Sequence, residues 1–357
     1  MAGTSTEEFA ERVFGAFLGA FEVASIYLGD KLGLYVALVD GGPATSAELA
    51  ERAGIAERYA REWLEQQAAV GYLMVDDPAA APEVRRFTLP AGHAAVLADR
   101  DSATYLTGNA RMIAAAMRVM PEVLEAYRTG GGVGWARYGE DMFTGQSDTN
   151  RPLFLSTLGA EWLPRIDAVH DALGTGGRAA DIGCGTGWSS IAIALAYPEA
   201  RVDGFDLDDE SIERARVHAA TAGVDDRVTF HDGDASEAEV GDPYDLAIAI
   251  ECIHDMAHPV PVLSSMRRLV ADRGTVIVVD EATEDAFAAP AGPLERFLYG
   301  FSITTCLPDG MSHEGSVGTG TVMRPDTLRG YARDAGFADV EPLPIEHDAF
   351  RVYRLVG

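Results

Sequence analysis

The sequence predicts an α/β fold with a doubly wound, mostly parallel sheet, preceded by a smaller, mainly helical domain. From about Arg178 onward, short apolar segments alternate with helical patterns, which is typical of a parallel sheet covered by helices. One of these segments ends in ADIGCGTGW, where Asp181 precedes three glycines spaced two apart. The first hundred residues instead carry amphipathic helical patterns. A length of 357 residues fits two domains of roughly 100–200 residues each.

The N-terminal region has the outline of a winged helix. Helical spacing of apolar residues runs from Glu7 to about Leu28 and again through YLGDKLGLYVAL. Thr45 and Glu48 form a capping box at the head of SAELAERAG, and the helical pattern AERYAREWLEQQAAVG follows. The segments YLMVDD and RRFTLP then predict a pair of strands around a turn.

The charge of this region disfavours DNA binding, the usual role of a winged helix. Residues 1–100 contain 15 Asp and Glu but only 8 Lys and Arg, and the whole chain carries a net charge of -28. A DNA-binding domain needs a basic face, and anionic membranes would repel such a chain. We therefore expect residues 1–101 to be a dimerisation domain of a homodimer.

The rest of the chain divides into a helical segment and a strand–helix domain. Residues 102–165 predict helices interrupted by GGGVGWARYGEDMF, which we interpret as a linker and pocket wall. Residues 166–357 form the predicted catalytic domain, with residues 290–322 as a lid. The strand patterns are RAADIG, RVDGFDL, RVTFHDG, YDLAIAIE and GTVIVVDEA, and the chain closes with ADVEPLPI and AFRVYRLV as a hairpin.

Two further patterns suggest a cytoplasmic protein. No run of about 18 uncharged apolar residues is present, and the N-terminus lacks the basic and apolar regions of a signal peptide. Cys184, Cys252 and Cys306 have no paired spacing, which indicates reduced thiols rather than a disulfide frame or a zinc cluster.

The glycine loop fits one class of cofactor better than another. A dinucleotide fingerprint requires G-x-G-x-x-G, but its last position would be Trp188 or Ser190 in the two possible registers. The segment DIGCGTG instead resembles motif I of class I S-adenosylmethionine-dependent methyltransferases. The resemblance covers the chain from Arg178 to its end and implies a seven-stranded, Rossmann-like sheet that binds S-adenosylmethionine.

That resemblance also implies roles for carboxylates at successive strand ends. Asp181 would orient the methionine part of the cofactor, Asp206 would accept the ribose hydroxyls, and Asp234 would lie at the adenine edge. Glu251 could face the cofactor, support a ligand or meet a cationic part of the substrate. The implied cofactor-binding residues are Asp181, Gly183, Gly185, Gly187, Asp206, Leu207, Asp234, Ala235 and Glu251.

The segment ECIHDMAHP, after the fourth strand, admits two interpretations. It resembles the histidine–aspartate segment of small-molecule O-methyltransferases that carry an N-terminal winged-helix dimerisation domain. In that family the histidine, here His254, is the general base that removes a hydroxyl proton. This chain has Met256 where a tryptophan commonly follows the aspartate.

The second interpretation, which we favour at this point, makes His254, Asp255 and His313 ligands of iron or zinc. Two imidazoles and a carboxylate can hold such a metal and leave positions open for substrate. The set resembles metal-dependent 2-oxoacid C-methyltransferases of peptide-antibiotic pathways, which act on phenylpyruvate or branched 2-oxoacids. The metal would stabilise the enolate that attacks the methyl group, and Arg137 would bind the substrate carboxylate.

The resemblance thus predicts a methyltransferase of secondary metabolism with a small-molecule substrate. β-C-methylation of a 2-oxoacid is the first expectation and O-methylation the alternative. Two further possibilities stay open: a winged-helix regulator whose second domain senses a ligand, and a fold that holds the cofactor while catalysing another reaction.

Overall fold

The N-terminal region folds as the capping and turn signals predict. In the computed structural model, which describes residues 5–237 and 241–357, Thr45 Oγ1 accepts from the Glu48 amide and Glu48 Oε2 from the Thr45 amide. Gly54, with φ +67°, closes that helix. The helices are α1 Thr6–Lys31, α2 Leu34–Gly41, α3 Ser46–Ala53, α4 Glu57–Ala69 and α5 Ala91–Leu97, and the antiparallel strands are β1 Met74–Val75 and β2 Phe87–Thr88.

The segment predicted as linker and pocket wall contains α6 Thr107–Arg118, α7 Met120–Thr129 and α8 Glu140–Leu153. The structure divides this segment instead of keeping it whole. One compact unit runs through Ala115 and includes Glu140–Pro152, while the other contains Ala116–Gly139 and Leu153–Gly357. The glycine-rich stretch around Trp135 therefore belongs to the second unit.

The second unit contains the predicted sheet. Its strands are β3 Arg178–Ile182, β4 Arg201–Asp206, β5 Val228–Asp232, β6 Tyr244–Ile250, β7 Val270–Glu281, β8 Asp339–Pro342 and β9 Phe350–Val356. Their order is β5-β4-β3-β6-β7-β9-β8, with β9 antiparallel to both of its neighbours and the other pairs parallel. The predicted doubly wound α/β sheet with a closing hairpin is confirmed.

Helices surround this sheet. They are α9 Asp167–Gly174, α10 Trp188–Ala196, α11 Asp209–Ala222, α12 Pro259–Leu269, α13 Pro293–Phe301, α14 Leu307–Gly310 and α15 Pro325–Asp334, with π-helical turns at Phe154–Trp162 and Ser302–Cys306. Alternate strand residues enter different cores: Ile248 packs into one apolar cluster and Ala247 into the other. Both faces of the sheet are therefore buried.

The parallel strands place the candidate site residues at one edge. Ile182 at the end of β3 is in register with Phe205 of β4 and with Ala249 of β6. The segments that follow these strands thus leave the sheet side by side, where open α/β sheets bind their ligands.

Helix α1 differs from the rest of the described chain in its exposed apolar surface. By length and composition it could cross a membrane, with a mean hydropathy of 1.3 over a window that is only 11% buried. The exposed side chains include Phe9, Phe14, Phe17 and Phe21. Such a face is typical of a helix that packs against a partner.

Candidate active site

The glycine loop after β3 depends on backbone conformations that favour glycine. Gly183, Gly185 and Gly187 have φ values of +69°, +52° and +84°. A Cβ on Gly187 would lie 2.6 Å from the Phe230 ring, and one on Gly183 would lie 2.7 Å from Cys252 Sγ. A Cβ on Gly185 would meet nothing within 4 Å. Two of the glycines thus permit packing, while the third borders open space in which a ligand could lie.

Helix α10 begins directly after this loop. Gly187 is its N-cap and supplies no side-chain hydrogen bond to the first amides. The amides of a first helical turn lack partners within the helix and suit an anionic or polar ligand. The loop is held from outside because the Trp188 and His218 rings stack at 4.6 Å and His218 Nδ1 lies 2.9 Å from the Thr186 carbonyl oxygen.

Asp181, at the end of β3, is enclosed rather than open to a cleft. It is 1% exposed, and its Oδ2 accepts from the hydroxyls of Ser189 and Ser190, each at 2.6 Å. Burial raises the pKa of Asp181 to about 6, although both hydroxyls act in the opposite direction. The observed effect of Asp181 is to tie β3 to the first turn of α10; its contact with a cofactor stays a prediction.

The two other predicted carboxylates lie at the ends of β4 and β5. Asp206 accepts from the Gly185 amide at 2.8 Å and from the Asp208 amide at 3.0 Å, and burial raises its pKa. Asp234 is exposed and closes a turn by accepting from the Ser236 amide at 2.7 Å. Beside them, Leu207 is 65% exposed and Ala235 is buried. Asp206 is therefore hydrogen-bonded directly to the glycine loop, whereas the side chain of Asp234 is hydrogen-bonded within the turn that follows β5.

His254 follows β6 and is held by carboxylates on both sides of its ring. It is 3% exposed. Its Nδ1 lies 2.9 Å from Asp280 Oδ1 and 3.0 Å from Glu281 Oε2, both at the end of the neighbouring strand β7. Its Nε2 lies 3.2 Å from Asp255 Oδ1. The pairing of β6 with β7 thus creates the cluster.

The charges in this cluster compensate one another only partly. Burial acts to lower the pKa of His254, but Asp255, Glu281 and Asp280 outweigh it and raise that pKa well above 6.5. Burial raises the pKa of Glu281 well above its usual range, whereas His254 opposes burial at Asp280 and lowers the pKa there. These three pKa shifts are those of a protonated, buried His254 beside an ionised Asp280.

A further buried acidic group lies near the cluster around His254. Asp309 Oδ1 accepts from the Trp135 amide at 2.7 Å, and burial, followed by the charge of Asp255, raises the pKa of Asp309 to about 7. The Val133 amide donates to the Pro308 carbonyl oxygen at 2.8 Å. These contacts join the glycine-rich stretch to α14. Sequence reasoning missed Asp309, since a lone aspartate in an apolar segment gives no signal.

The structure corrects two of the predicted substrate-side residues. Arg137 has a side chain that is 65% exposed and is bound by Glu122 through bonds of 3.0 and 2.9 Å, so it is not poised as a carboxylate clamp. His313 is exposed and shares no group of closely spaced ligand atoms with His254 and Asp255. The structure therefore does not bring the three predicted metal ligands His254, Asp255 and His313 together.

A different side chain, Cys306, lies close to His254 and Asp255. Ligand atoms of His254, Asp255 and Cys306 all lie within 4.8 Å of one another. No local pattern could predict this, because Cys306 follows Asp255 by 51 positions in the sequence. Glu251, at the end of β6, has φ +53°, an unusual conformation for a residue with a Cβ; its role stays a prediction.

Two family models match this chain. Residues 173–297 match a methyltransferase domain, and residues 21–99 match an Rv2258c-like winged helix-turn-helix domain. The first range includes the glycine loop, Asp206, Asp234 and His254. The second range ends close to residue 101, where the sequence patterns placed the boundary of the winged-helix region.

A comparison with individual curated proteins also finds a methyltransferase. The chain is 35% identical over 109 residues to 27-O-demethylrifamycin SV methyltransferase of Amycolatopsis mediterranei, covering 30% of this chain and 40% of that enzyme. The match thus spans less than half of that curated relative.

Solved structures resemble the whole chain. Mitomycin 7-O-methyltransferase MmcR has a TM-score of 0.71 at 21% identity, covering 99% of both chains. Human N-acetylserotonin methyltransferase, solved with S-adenosylmethionine, has a TM-score of 0.69 at 19% identity, covering 99% of this chain and 100% of that one. The chain therefore contains a class I S-adenosylmethionine-dependent methyltransferase domain preceded by an Rv2258c-like winged helix-turn-helix domain, and its fold is that of the solved methyltransferases.

Proposed function

We propose that this protein transfers the methyl group of S-adenosylmethionine to a hydroxyl oxygen of a small molecule, with His254 as general base. The observation that carries this proposal is the placement of His254. It follows β6, the strand that pairs with β3 and its glycine loop, and its Nδ1 contacts Asp280 at 2.9 Å. A carboxylate on Nδ1 orients the ring and leaves Nε2 as the atom that takes a proton.

The cofactor would lie along the edge built by the glycine loop. Gly185 borders open space, and Asp206 already accepts from the Gly185 amide, so its carboxylate is oriented at that edge. The residues that fit S-adenosylmethionine are thus those of the loop together with Asp206, Leu207, Asp234 and Ala235. Bound there, the cofactor supplies an electrophilic methyl group.

The chain's own residues then have two tasks. The acceptor hydroxyl would replace Asp255 as the neighbour of His254 Nε2. Without the Asp255 charge beside it, the imidazolium would release its Nε2 proton to solvent, and the neutral ring would then take the hydroxyl proton as the oxygen attacks. Asp280 stabilises the imidazolium that results. Burial of His254 strengthens this interaction because water does not screen it.

The charges around His254 favour a neutral or cationic acceptor over a 2-oxoacid. The carboxylates beside it are Asp255 and Asp280, since the raised pKa of Glu281 keeps that group protonated, and Asp309 lies near enough to Asp255 to feel its charge. Arg137, the proposed partner of a substrate carboxylate, is engaged by Glu122. A carboxylate substrate would meet like charges. We therefore propose O-methylation in place of 2-oxoacid C-methylation.

The test combines binding with methyl transfer. We expect purified protein to bind S-adenosylmethionine in a calorimeter and to methylate members of a panel of phenols and other hydroxylated compounds in the presence of a chelator. Transfer only to 2-oxoacids, and only with added metal, would overturn O-methylation. Failure to bind S-adenosylmethionine or S-adenosylhomocysteine would overturn the whole proposal.

We also propose a cytoplasmic homodimer that serves secondary metabolism, such as antibiotic biosynthesis. The apolar face of α1 supports the dimer, and the relative from A. mediterranei supports the metabolic role. Phe17→Glu should convert a dimer to a monomer in light scattering, because it places a charge within that face. Tyr59→Glu, at a side chain 76% exposed on α4, is the matched control and should stay dimeric. A wild-type monomer would refute the dimer.

A further inference from the structure

We propose that His254, Asp255 and Cys306 form a binding site for a divalent transition metal of the zinc class, and that a metal bound there inhibits methyl transfer. The metal would occupy the Nε2 atom that the proposed O-methylation needs as its base. The metal site itself does not depend on the proposed function; only the inhibition does.

The distances between the three side chains suit a zinc site. Tetrahedral zinc has metal–ligand bonds of about 2.0–2.3 Å, which place neighbouring N and O ligands roughly 3.3 Å apart. His254 Nε2 lies 3.2 Å from Asp255 Oδ1, and the Cys306 ligand atom belongs to the same group within 4.8 Å. The three therefore need little movement to share one ion.

The other side of the imidazole is arranged as in protein metal sites. A histidine ligand usually gives its second ring N–H to a carboxylate, which fixes the ring and makes the free nitrogen a better ligand. His254 has this arrangement, with Asp280 Oδ1 at 2.9 Å from Nδ1 and Glu281 Oε2 at 3.0 Å. Nε2 consequently points to the side where Asp255 and Cys306 lie.

Asp255 Oδ1 lies enclosed at the centre of this group and makes no well-aligned hydrogen bond among the described residues. Its polar neighbour is His254 Nε2 at 3.2 Å. Buried polar atoms without good partners are costly. A cation bound between Asp255 and the imidazole would satisfy Asp255 Oδ1.

The types of ligand identify the class of metal. One imidazole nitrogen, one carboxylate oxygen and one sulfur suit zinc and neighbouring transition metals, whereas magnesium and calcium prefer oxygen ligands alone. Binding releases the thiol proton of Cys306 and the Nε2 proton of His254 to solvent, so that the thiolate and the neutral imidazole coordinate the metal. The fourth position of a tetrahedral ion would hold water.

Cobalt substitution provides a direct test of the site. We expect Co²⁺ added to the full-length protein to give visible d–d bands and a thiolate-to-cobalt charge-transfer band, with release of protons from both Cys306 and His254. In Cys306→Ser the charge-transfer band should vanish and the affinity should fall at least about tenfold, as for a lost metal contact. Cys252→Ser removes a thiol outside the group and should retain the band. An unchanged band in Cys306→Ser, or a wild-type protein that binds no Co²⁺, would overturn the site.

Zinc titration of the active enzyme tests the inhibition. Once methyl transfer has been measured with a chelator present, Zn²⁺ should inhibit it competitively with the acceptor, and Cys306→Ser should require at least about tenfold more Zn²⁺. Equal inhibition of both proteins, or activation by Zn²⁺, would overturn the inhibitory role. Loss of all activity without metal would instead count against the proposed function, so the two failures are distinguishable.

Discussion

The glycine loop after β3 and the charged cluster after β6 follow neighbouring strands, yet they are stabilised by different means. The loop depends on backbone conformation, since Gly183, Gly185 and Gly187 all have positive φ. Its one buried carboxylate, Asp181, is satisfied by two nearby serine hydroxyls. The cluster around His254 depends on charged side chains brought together from distant parts of the chain.

This difference indicates which site can vary. Altering the loop requires a change of main-chain path, which the packing of Phe230 and Cys252 against it resists. Altering the acceptor side requires only new side chains on segments that already meet. We therefore interpret the loop as the general part of the protein and the cluster as the part that sets the acceptor.

The substitution with the largest expected effect tests whether the cluster around His254 serves catalysis and not cofactor binding. His254→Gln removes the proposed base and should lower kcat by about 10²–10⁴-fold, while the dissociation constant of S-adenosylmethionine stays within about twofold. His231→Gln is the matched control, because His231 also contacts a carboxylate, Asp203 at 2.9 Å, but lies on β5. Unchanged turnover in His254→Gln would refute the role of His254.

The stability of the protein should depend on pH through Asp181, which lies next to the glycine loop. Burial raises the pKa of Asp181 from 3.8 to about 6, so between these values the folded protein keeps a proton that the unfolded chain has released. The free energy of unfolding should therefore fall as pH rises through this window, by about 3 kcal/mol in total.

Asp181→Asn has no such proton and should lose this part of the pH dependence. Urea unfolding of both proteins at several pH values from about 4 to 7 measures the difference. Parallel stability curves for the two proteins would contradict an Asp181 pKa near 6.

A third change tests the open space at the loop. Gly185→Ala adds a Cβ where nothing lies within 4 Å, so it should weaken S-adenosylmethionine binding by about tenfold or more with only the stability cost of a positive φ. Gly223→Ala is the matched control, because Gly223 has φ +69°, is equally unobstructed and lies at the C-terminal end of α11. Equal affinities in calorimetry would show that no cofactor approaches Gly185.

The smallest effect expected concerns the acceptor side. A Cβ on Gly132 would lie 2.1 Å from the Ser312 amide nitrogen and 2.3 Å from the Pro308 carbonyl oxygen, so Gly132→Ala should displace the stretch that holds Asp309. We expect a several-fold higher KM for the acceptor, by analogy with the sensitivity of catalysis to small misplacements. Gly131→Ala serves as control, because a Cβ on Gly131 would have Thr129 Oγ1 at 3.4 Å as its nearest neighbour. A change in S-adenosylmethionine affinity instead would contradict the separation of the two sites.

The contrast between a loop defined by local backbone conformation and a cluster built from distant side chains also explains what the sequence could predict. The glycine loop and the strand alternation are local patterns, because positive φ angles and the periodicity of a buried strand depend on residues that are neighbours in the sequence. The start of α10 at Trp188 and the capping box at Thr45 are confirmed for this reason.

The acceptor side could be predicted only in part. His254 and Asp255 stand next to each other, so their placement was evident, but the partners Asp280, Glu281, Cys306 and Asp309 come from elsewhere in the chain. Arg137 and His313 were plausible by residue type alone, and the fold directs one to Glu122 and the other to an exposed loop. Tertiary packing decides such partners, and no local spacing encodes it.

The central claim, metal-free transfer of a methyl group to oxygen at the His254 cluster, is tested most directly by carbon NMR. The protein would be incubated with S-adenosylmethionine labelled with ¹³C in its methyl group, a chelator, and a mixture of hydroxylated compounds and 2-oxoacids. We predict a new ¹³C signal in the O-methyl region that is lost in His254→Gln. A signal in the C-methyl region, on a 2-oxoacid and dependent on added metal, would contradict the account.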